Sequence, residues 1–223
     1  MNLALYGSGE FTEEVKDIDE YLITKYKPHN IAILPTAAGK ENDYTKWLSM
    51  AKIHYAQYNL SIIEVPILNK IQANNQELIN PILNADWIFF SGGDPNYLLN
   101  VLKNSVLWKE ITRLYHEGVL LSGSSAGAMV MGNFILSNPF KAIFKNSDIL
   151  WKEAFKLVDY TIFPHFNRIK NHPTFIKRVI KQSPKNISSS WIGIDENTAL
   201  IIDDNKQSIH GPGNVEIHTV KNQ

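Results

Sequence analysis

The sequence predicts an α/β fold: a mostly parallel sheet with helices on both faces and a C-terminal β extension. Three observations predict it. Short apolar runs alternate with amphipathic stretches through five successive units, a rhythm that builds parallel strands joined by right-handed crossovers. The runs end in small residues and turn formers, as at Gly7-Ser8-Gly9 and Ser91-Gly92-Gly93-Asp94, and sites in parallel sheets gather beyond such carboxyl ends. The chain's 223 residues, 44% hydrophobic and 20% charged, suit a single domain over residues 1–223 with a full core.

In chain order, Leu3-Ala4-Leu5-Tyr6 reads as the first strand and Gly7-Ser8-Gly9-Glu10 as its turn, with Glu10 a minor candidate to face a cleft. The third glycine of a dinucleotide fingerprint is missing there. Val15, Ile18 and Leu22 recur at helical spacing behind a candidate N-cap, Thr12. Ile31-Ala32-Ile33-Leu34 is a second strand, closed by Pro35 to Gly39. A helix follows with Trp47, Ala51, Tyr55 and Tyr58 on one face and His54, read as a core histidine, beside it.

Ser61 to Val65 forms a third strand, and Leu78, Ile79, Ile82 and Leu83 mark a short helix. Trp87-Ile88-Phe89-Phe90 is the fourth strand. Its turn, Ser91 to Asn96, holds two adjacent glycines that let backbone N–H groups face a ligand. Leu98, Leu99 and Leu102 begin a helix, and Leu107, Ile111, Leu114 and Tyr115 form another, stopped by Gly118.

Val119-Leu120-Leu121 then runs into Ser122-Gly123-Ser124-Ser125-Ala126-Gly127-Ala128 and a Met-rich helix start. A serine in Gly-x-Ser-x-Gly at a tight strand-to-helix turn is lifted out of the sheet, with small neighbours that let a substrate approach. Ser125 is therefore a candidate nucleophile, and the N–H of Ala126 a candidate donor to a developing oxyanion. The same spacing also suits a packing or phosphate turn.

Beyond Met131 the rhythm breaks. Residues 132–158 carry Phe134, Pro139, Phe140, Phe144, Trp151 and Phe155 without a period and read as an irregular flap over the site. Tyr160 to Phe163 is a strand, followed by Pro164-His165-Phe166-Asn167-Arg168 and a helix opened by Pro173. The tail reads as three strands, Trp191 to Ile194, Ala199 to Ile202 and Val215 to His218, separated by polar turns such as Asp203-Asp204-Asn205.

Composition narrows the chemistry. Lys plus Arg and Asp plus Glu both number 22, so no global field gathers nucleic acid or an anionic membrane. Cysteine is absent, which removes thiolate metal sites and a thiol nucleophile. No apolar stretch approaches the roughly 20 residues that cross a bilayer, and the first residues lack a signal-peptide pattern. These features predict a cytoplasmic protein acting on a small molecule; no metal or cofactor is expected.

A serine nucleophile needs a base and an acid that orients it. Of seven histidines, His165 alone directly follows a convincing buried strand downstream of Ser125. For the acid, Asp195, Glu196 and Asp148 all remain candidates by position.

Ser91-Gly92-Gly93-Asp94 with Leu98-Leu99, Gly123 to Ala128, Pro164-His165-Phe166 and Gly193-Ile194-Asp195-Glu196-Asn197-Thr198-Ala199 resemble the successive signatures of the S51 serine peptidases. That family includes aspartyl dipeptidase (peptidase E) and cyanophycinase, and the match spans most of the chain. The resemblance implies a class I glutamine amidotransferase-like, flavodoxin-related fold. It also implies a triad of Ser125, His165 and Glu196, with oxyanion-hole N–H groups on Gly93 and Ala126. Its implied activity is serine-type hydrolysis of small peptides, with an N-terminal aspartyl dipeptide as the finer expectation; Arg168, near His165, reads either as the cation for the substrate carboxylate or as a solvated loop charge. The cyanophycinase branch has a glutamine soon after Gly-Gly-Asp, where this chain has Pro95-Asn96, which points away from cyanophycin. The same site on an esterase or amidase, or an inactive binding protein of this fold, are the other readings.

Overall fold

The computed structural model describes residues 1–41, 43–137, 147–182, 190–204 and 206–219. Among these, seven strands form the main sheet in the order β11-β10-β1-β5-β4-β2-β3. The strands are β1 (Asn2–Tyr6), β2 (Asn30–Leu34), β3 (Ser61–Glu64), β4 (Trp87–Phe90), β5 (Leu120–Ser124), β10 (Ala199–Asp203) and β11 (Lys206–His210). The first five are mutually parallel. The two C-terminal strands add antiparallel to β1.

β1, β2, β4 and β5 are buried almost throughout, as strands covered on both faces must be. Alternation divides them between two cores. Leu3, Leu5, Leu34, Ile88, Phe90 and Leu121 pack on one face with residues of α4 (Pro95–Leu102), α5 (Val106–His116) and α6 (Ala126–Met131). Ala4, Tyr6, Ile31, Ile33, Trp87 and Phe89 pack on the other with α1 (Lys16–Tyr26) and α2 (Thr45–Tyr55). α3 (Gln76–Ile79) supplies Ile79 to the first core, whereas Leu78 is exposed. Helix entry follows sequence chemistry at Asp94 and Ser105, whose side chains accept N–H groups of the first turns of α4 and α5. Thr12 does not cap: its hydroxyl donates to the Gly9 carbonyl.

The later chain departs from a single sheet. β8 (Thr161–Phe163), β9 (Ser190–Ile194) and β12 (Val215–Thr219) form a separate three-stranded sheet, with β8 and β9 parallel. The expected flap is partly regular, because β6 (Phe134–Leu136) pairs antiparallel with β7 (Trp151–Glu153). Phe155 leaves it to stack on Trp108 of α5, with ring centroids 3.6 Å apart. Pro139, Phe140 and Phe144 lie outside the described residues. Two more helices, α7 (Phe166–Ile169) and α8 (Pro173–Gln182), follow β8. β11 is a strand that its polar sequence conceals. It is the edge of the main sheet and its Ile209 is exposed, so no apolar alternation is required of it. No described helix is long and apolar enough to cross a membrane.

Candidate active site

The carboxyl ends of β1, β5 and β4 are neighbours, and the turns leaving them converge. Ser125 follows β5 with φ 49° and ψ −108°, a region a non-glycine residue occupies only when its surroundings hold it there. The turn requires its glycines. A Cβ on Gly123 would lie 2.4 Å from the Gly127 backbone, and one on Gly127 would lie 2.4 Å from the Phe90 carbonyl oxygen.

His165 and Glu196 come from the second sheet. Phe163 of β8 pairs with Gly193 of β9, so the residues just beyond those two parallel strands leave at the same edge. His165 is left-handed, at φ 52°, and Phe166 beside it is buried against Trp191. That packing uses the bare backbone of Gly193, whose Cβ would strike the Phe166 ring at 2.3 Å.

The three side chains form one line. Ser125 Oγ lies 3.0 Å from His165 Nε2, and His165 Nδ1 lies 2.8 Å from Glu196 Oε1. Glu196 is held from behind: Asn167 Nδ2 donates to its Oε2 at 3.2 Å, and Asn167 Oδ1 accepts its main-chain N–H at 3.0 Å. Burial pushes the Glu196 carboxyl up, but the hydrogen bonds from His165 and Asn167 and the charges of His165 and Arg168 outweigh it and leave its pKa below the ordinary value. An ionised Glu196 favours the tautomer with a proton on Nδ1, which leaves the Nε2 lone pair for the serine hydroxyl.

The other acids lie elsewhere. Asp195 is buried, accepts the Asn214 N–H at 3.1 Å and pairs with Lys170 at 3.5 Å. Asp148 is not the partner of His165 Nδ1, which faces Glu196. Arg168 does not line the cavity at Ser125; its Nε donates to Glu196 at 2.9 Å while the side chain is 74% exposed. The cation expected for substrate is thus tied into the base-orienting group.

Gly93 takes φ 138°, and a Cβ there would lie 2.5 Å from the Ala37 carbonyl. Among the described residues, the N–H groups of Gly93 and Ala126 have no main-chain or side-chain acceptor, leaving both available to an oxyanion. Next to them, Gly92 N–H donates at 2.7 Å to Oε1 of Glu10, whose Oε2 accepts the Ser124 hydroxyl. A cavity of about 260 Å³ opens on Ser125 and His165 and is walled by Glu10, Trp47, Met50 and Gly93. No described residue of the 132–158 segment lines it, so α2 supplies the wall expected of that flap. Trp47 packs against the core as its helical spacing predicts and also walls the cavity, a second role that spacing does not show, and Glu10 has a larger place here than its turn position suggests. The available signal was an acid directly after a Gly-Ser-Gly turn, on the strand beside the nucleophile. A larger cavity of about 310 Å³ lies near Met1, Tyr115 and Asp204, and no histidine lines it. No described cluster of acids and histidines has the form of a metal site.

Residues 3–210 match the family described as peptidase family S51. An uncharacterized peptidase of Listeria monocytogenes is 26% identical over 161 residues, 70% of this chain and 76% of that protein. A cyanophycinase of Synechococcus elongatus is 26% identical over 195 residues, 84% of this chain but 58% of its own length. The crystal structure of a peptidase from an acI-B1 Actinobacterium superposes with a TM-score of 0.82 at 28% identity, covering 97% of this chain and 89% of that one. With a family match across nearly its whole length and this fold, the chain belongs to peptidase family S51 and is a serine-type peptidase.

Proposed function

We propose that the enzyme hydrolyses short peptides through an acyl-enzyme on Ser125. The observation that carries this reading is the single hydrogen-bonded line from Ser125 through His165 to Glu196, at 3.0 and 2.8 Å. Ser125 Oγ attacks the scissile carbonyl as its proton passes to His165 Nε2, and the charge on the carbonyl oxygen falls to the N–H groups of Gly93 and Ala126. His165 returns the proton to the leaving amine as the C–N bond breaks. Water, activated by the same imidazole, then cleaves the ester and restores the serine.

The cavity, about 260 Å³, lies below the roughly 300–1,000 Å³ of sites for drug-sized ligands, which supports a short peptide. The finer reading, an N-terminal aspartyl dipeptide, needs a cation for the substrate carboxylate, and Arg168, which lies outside the cavity lining, would have to reach in with its outer guanidinium nitrogens, since Nε is held by Glu196. The balanced charge, 22 basic against 22 acidic residues, supports a small substrate rather than nucleic acid or a membrane surface, and a cytoplasmic setting is part of the same proposal. Treatment with a fluorophosphonate, followed by peptide mapping, should place one adduct on Ser125 and abolish hydrolysis in a dipeptide panel varied at the first residue. An inactivated enzyme labelled elsewhere, or a fully labelled enzyme that still turns over, would end the reading.

A further inference from the structure

We propose that Glu10 anchors the free α-ammonium of the substrate, so that the enzyme measures its cut from the amino terminus. The proposal rests on Ser125 being the nucleophile. Glu10 is only 4% exposed, yet it faces the cavity that contains Ser125 and His165. Its two hydrogen-bond donors, Gly92 N–H and the Ser124 hydroxyl, are both neutral. Among the described residues no cation lies within ion-pair distance of it, and no lysine or arginine lines the cavity. A carboxylate withdrawn from water is unfavourable unless it is compensated by charge or a full set of hydrogen bonds. With one donor on each oxygen, its remaining lone pairs are open to a cation entering the cavity.

Position selects which cation. A Cβ on Gly92 would lie 2.8 Å from Glu10 Oε1 and 3.6 Å from Ser125 Cβ, so carboxylate and nucleophile flank the same glycine. In a peptide only the α-carbon separates the scissile carbonyl from the α-nitrogen, whereas a lysine ammonium lies at the far end of a four-carbon stem. A carboxylate this close to the nucleophile therefore matches the α-ammonium, which brings three donors and a full charge to a charge-assisted contact. Trp47 and Met50 leave the first side chain an apolar wall.

The test compares one chromogenic dipeptide framework in three forms: free α-amine, α-hydroxyl in place of the amine, and N-acetyl. Wild-type kcat/KM for the amine should exceed that for the hydroxyl form by about 100-fold or more, because the hydroxyl brings one neutral donor to the carboxylate where the ammonium brings three donors and a full charge. Glu10→Gln, which keeps size but not charge, should shrink that ratio at least tenfold. A wild type that treats amine and hydroxyl alike overturns the proposal without any mutant. So does a Glu10→Gln enzyme in which all three forms fall by one factor, the mark of a residue that only holds the Gly92 loop. Fluorophosphonate mapping on both proteins separates the two levels. A label on Ser125 without amine preference removes the Glu10 role and keeps the serine, while absence of that label removes both.

Discussion

The main-chain carbonyl of Tyr6 accepts the N–H of Ser125 at 3.1 Å. The next carbonyl, that of Gly7, accepts the N–H of His165 at 3.3 Å. The tip of β1 therefore holds nucleophile and base through consecutive peptide units, although the two residues come from different sheets. Both have positive φ, 49° and 52°, a strain of roughly 1–3 kcal/mol each that the surrounding structure must sustain. These main-chain contacts do not involve the reacting atoms, so side-chain substitutions should separate chemistry from fold.

Ser125→Ala is the direct case. It retains the backbone contact to Tyr6 and removes the hydroxyl, so turnover should fall by about 10³-fold or more with the melting temperature little changed. Near-normal turnover in purified Ser125→Ala would refute the acyl-enzyme.

Glu196→Gln should lower kcat by about 10²–10⁴-fold, because an amide neither selects the Nδ1 tautomer reliably nor stabilises the imidazolium. Asp195→Asn should act differently. Its carboxylate serves the Asn214 N–H and Lys170, so the loss is one of stability, about 1–3 kcal/mol, with kcat within a few-fold of wild type. Asp148→Asn should also leave kcat nearly intact. A crippled aspartate variant beside an active Glu196→Gln would reassign the third residue.

Much of this arrangement was legible in the sequence because the signals were local. Buried parallel strands announce themselves as apolar runs, and glycine spacing marks the turns at Gly92-Gly93 and Gly123 to Gly127. What escaped depended on long-range partners. Nothing local distinguishes β8 and β9 from strands of the main sheet, since both are apolar and followed by turns. The polar β11 is tolerated only because it is an edge. Trp47 has the spacing of a core residue, and its place at the cavity follows from how α2 lies over the strand ends. Glu10 reaches Gly92 and Ser124 across 82 and 114 residues of chain, a separation no periodicity records.

The depressed pKa of Glu196 predicts an acid-side signature. Because its folded value lies below the ordinary 4.5, the unfolded chain binds the proton more tightly. Its stabilisation is fully present above the unfolded value and is lost as pH falls through the folded one. The stability difference between wild type and Glu196→Gln, read from urea midpoints between about pH 3 and 7, should narrow toward acid. A difference that is constant over that range would contradict the ionised, hydrogen-bonded carboxylate.

His54 should matter for folding and not for chemistry. Its Nε2 lies 2.7 Å from Asp19 Oδ2, and the Tyr6 hydroxyl donates to Asp19 Oδ1 at 2.6 Å. Burial pushes the Asp19 carboxyl up, and the hydrogen bonds from His54 and Tyr6 offset only part of this, so it stays above its usual range. His54→Ala takes one of two hydrogen-bond donors from a buried acid, at a cost of about 1–3 kcal/mol, or a melting temperature lowered on the order of 5 °C. The kcat measured well below that temperature should change only a few-fold. Collapse of kcat with an unchanged melting temperature would move His54 into the site.

The last prediction concerns Gly7, where the two sheets meet. A Cβ on Gly7 would lie 2.1 Å from the Asp195 carbonyl oxygen and 2.6 Å from that of Ile194. Both obstacles are backbone, so a side-chain rotation cannot relieve them. Gly7→Ala must push β1 away from the end of β9. If β9 yields, Glu196 moves relative to His165; if β1 yields, the Gly7 carbonyl draws away from the His165 N–H. Either displacement breaks the line from Ser125 to Glu196, and a shift of about 1 Å can cost about 10²-fold in rate. Overpacking of this kind should also lower stability by about 1–3 kcal/mol. Gly118→Ala is the control: it has φ 102° and open space around the added carbon, so it should lose stability through backbone strain and keep its kcat. Thermal melts and kcat on both variants decide the matter. A Gly7→Ala enzyme that loses stability like Gly118→Ala yet keeps full turnover would show that the β1 tip does not align nucleophile and base.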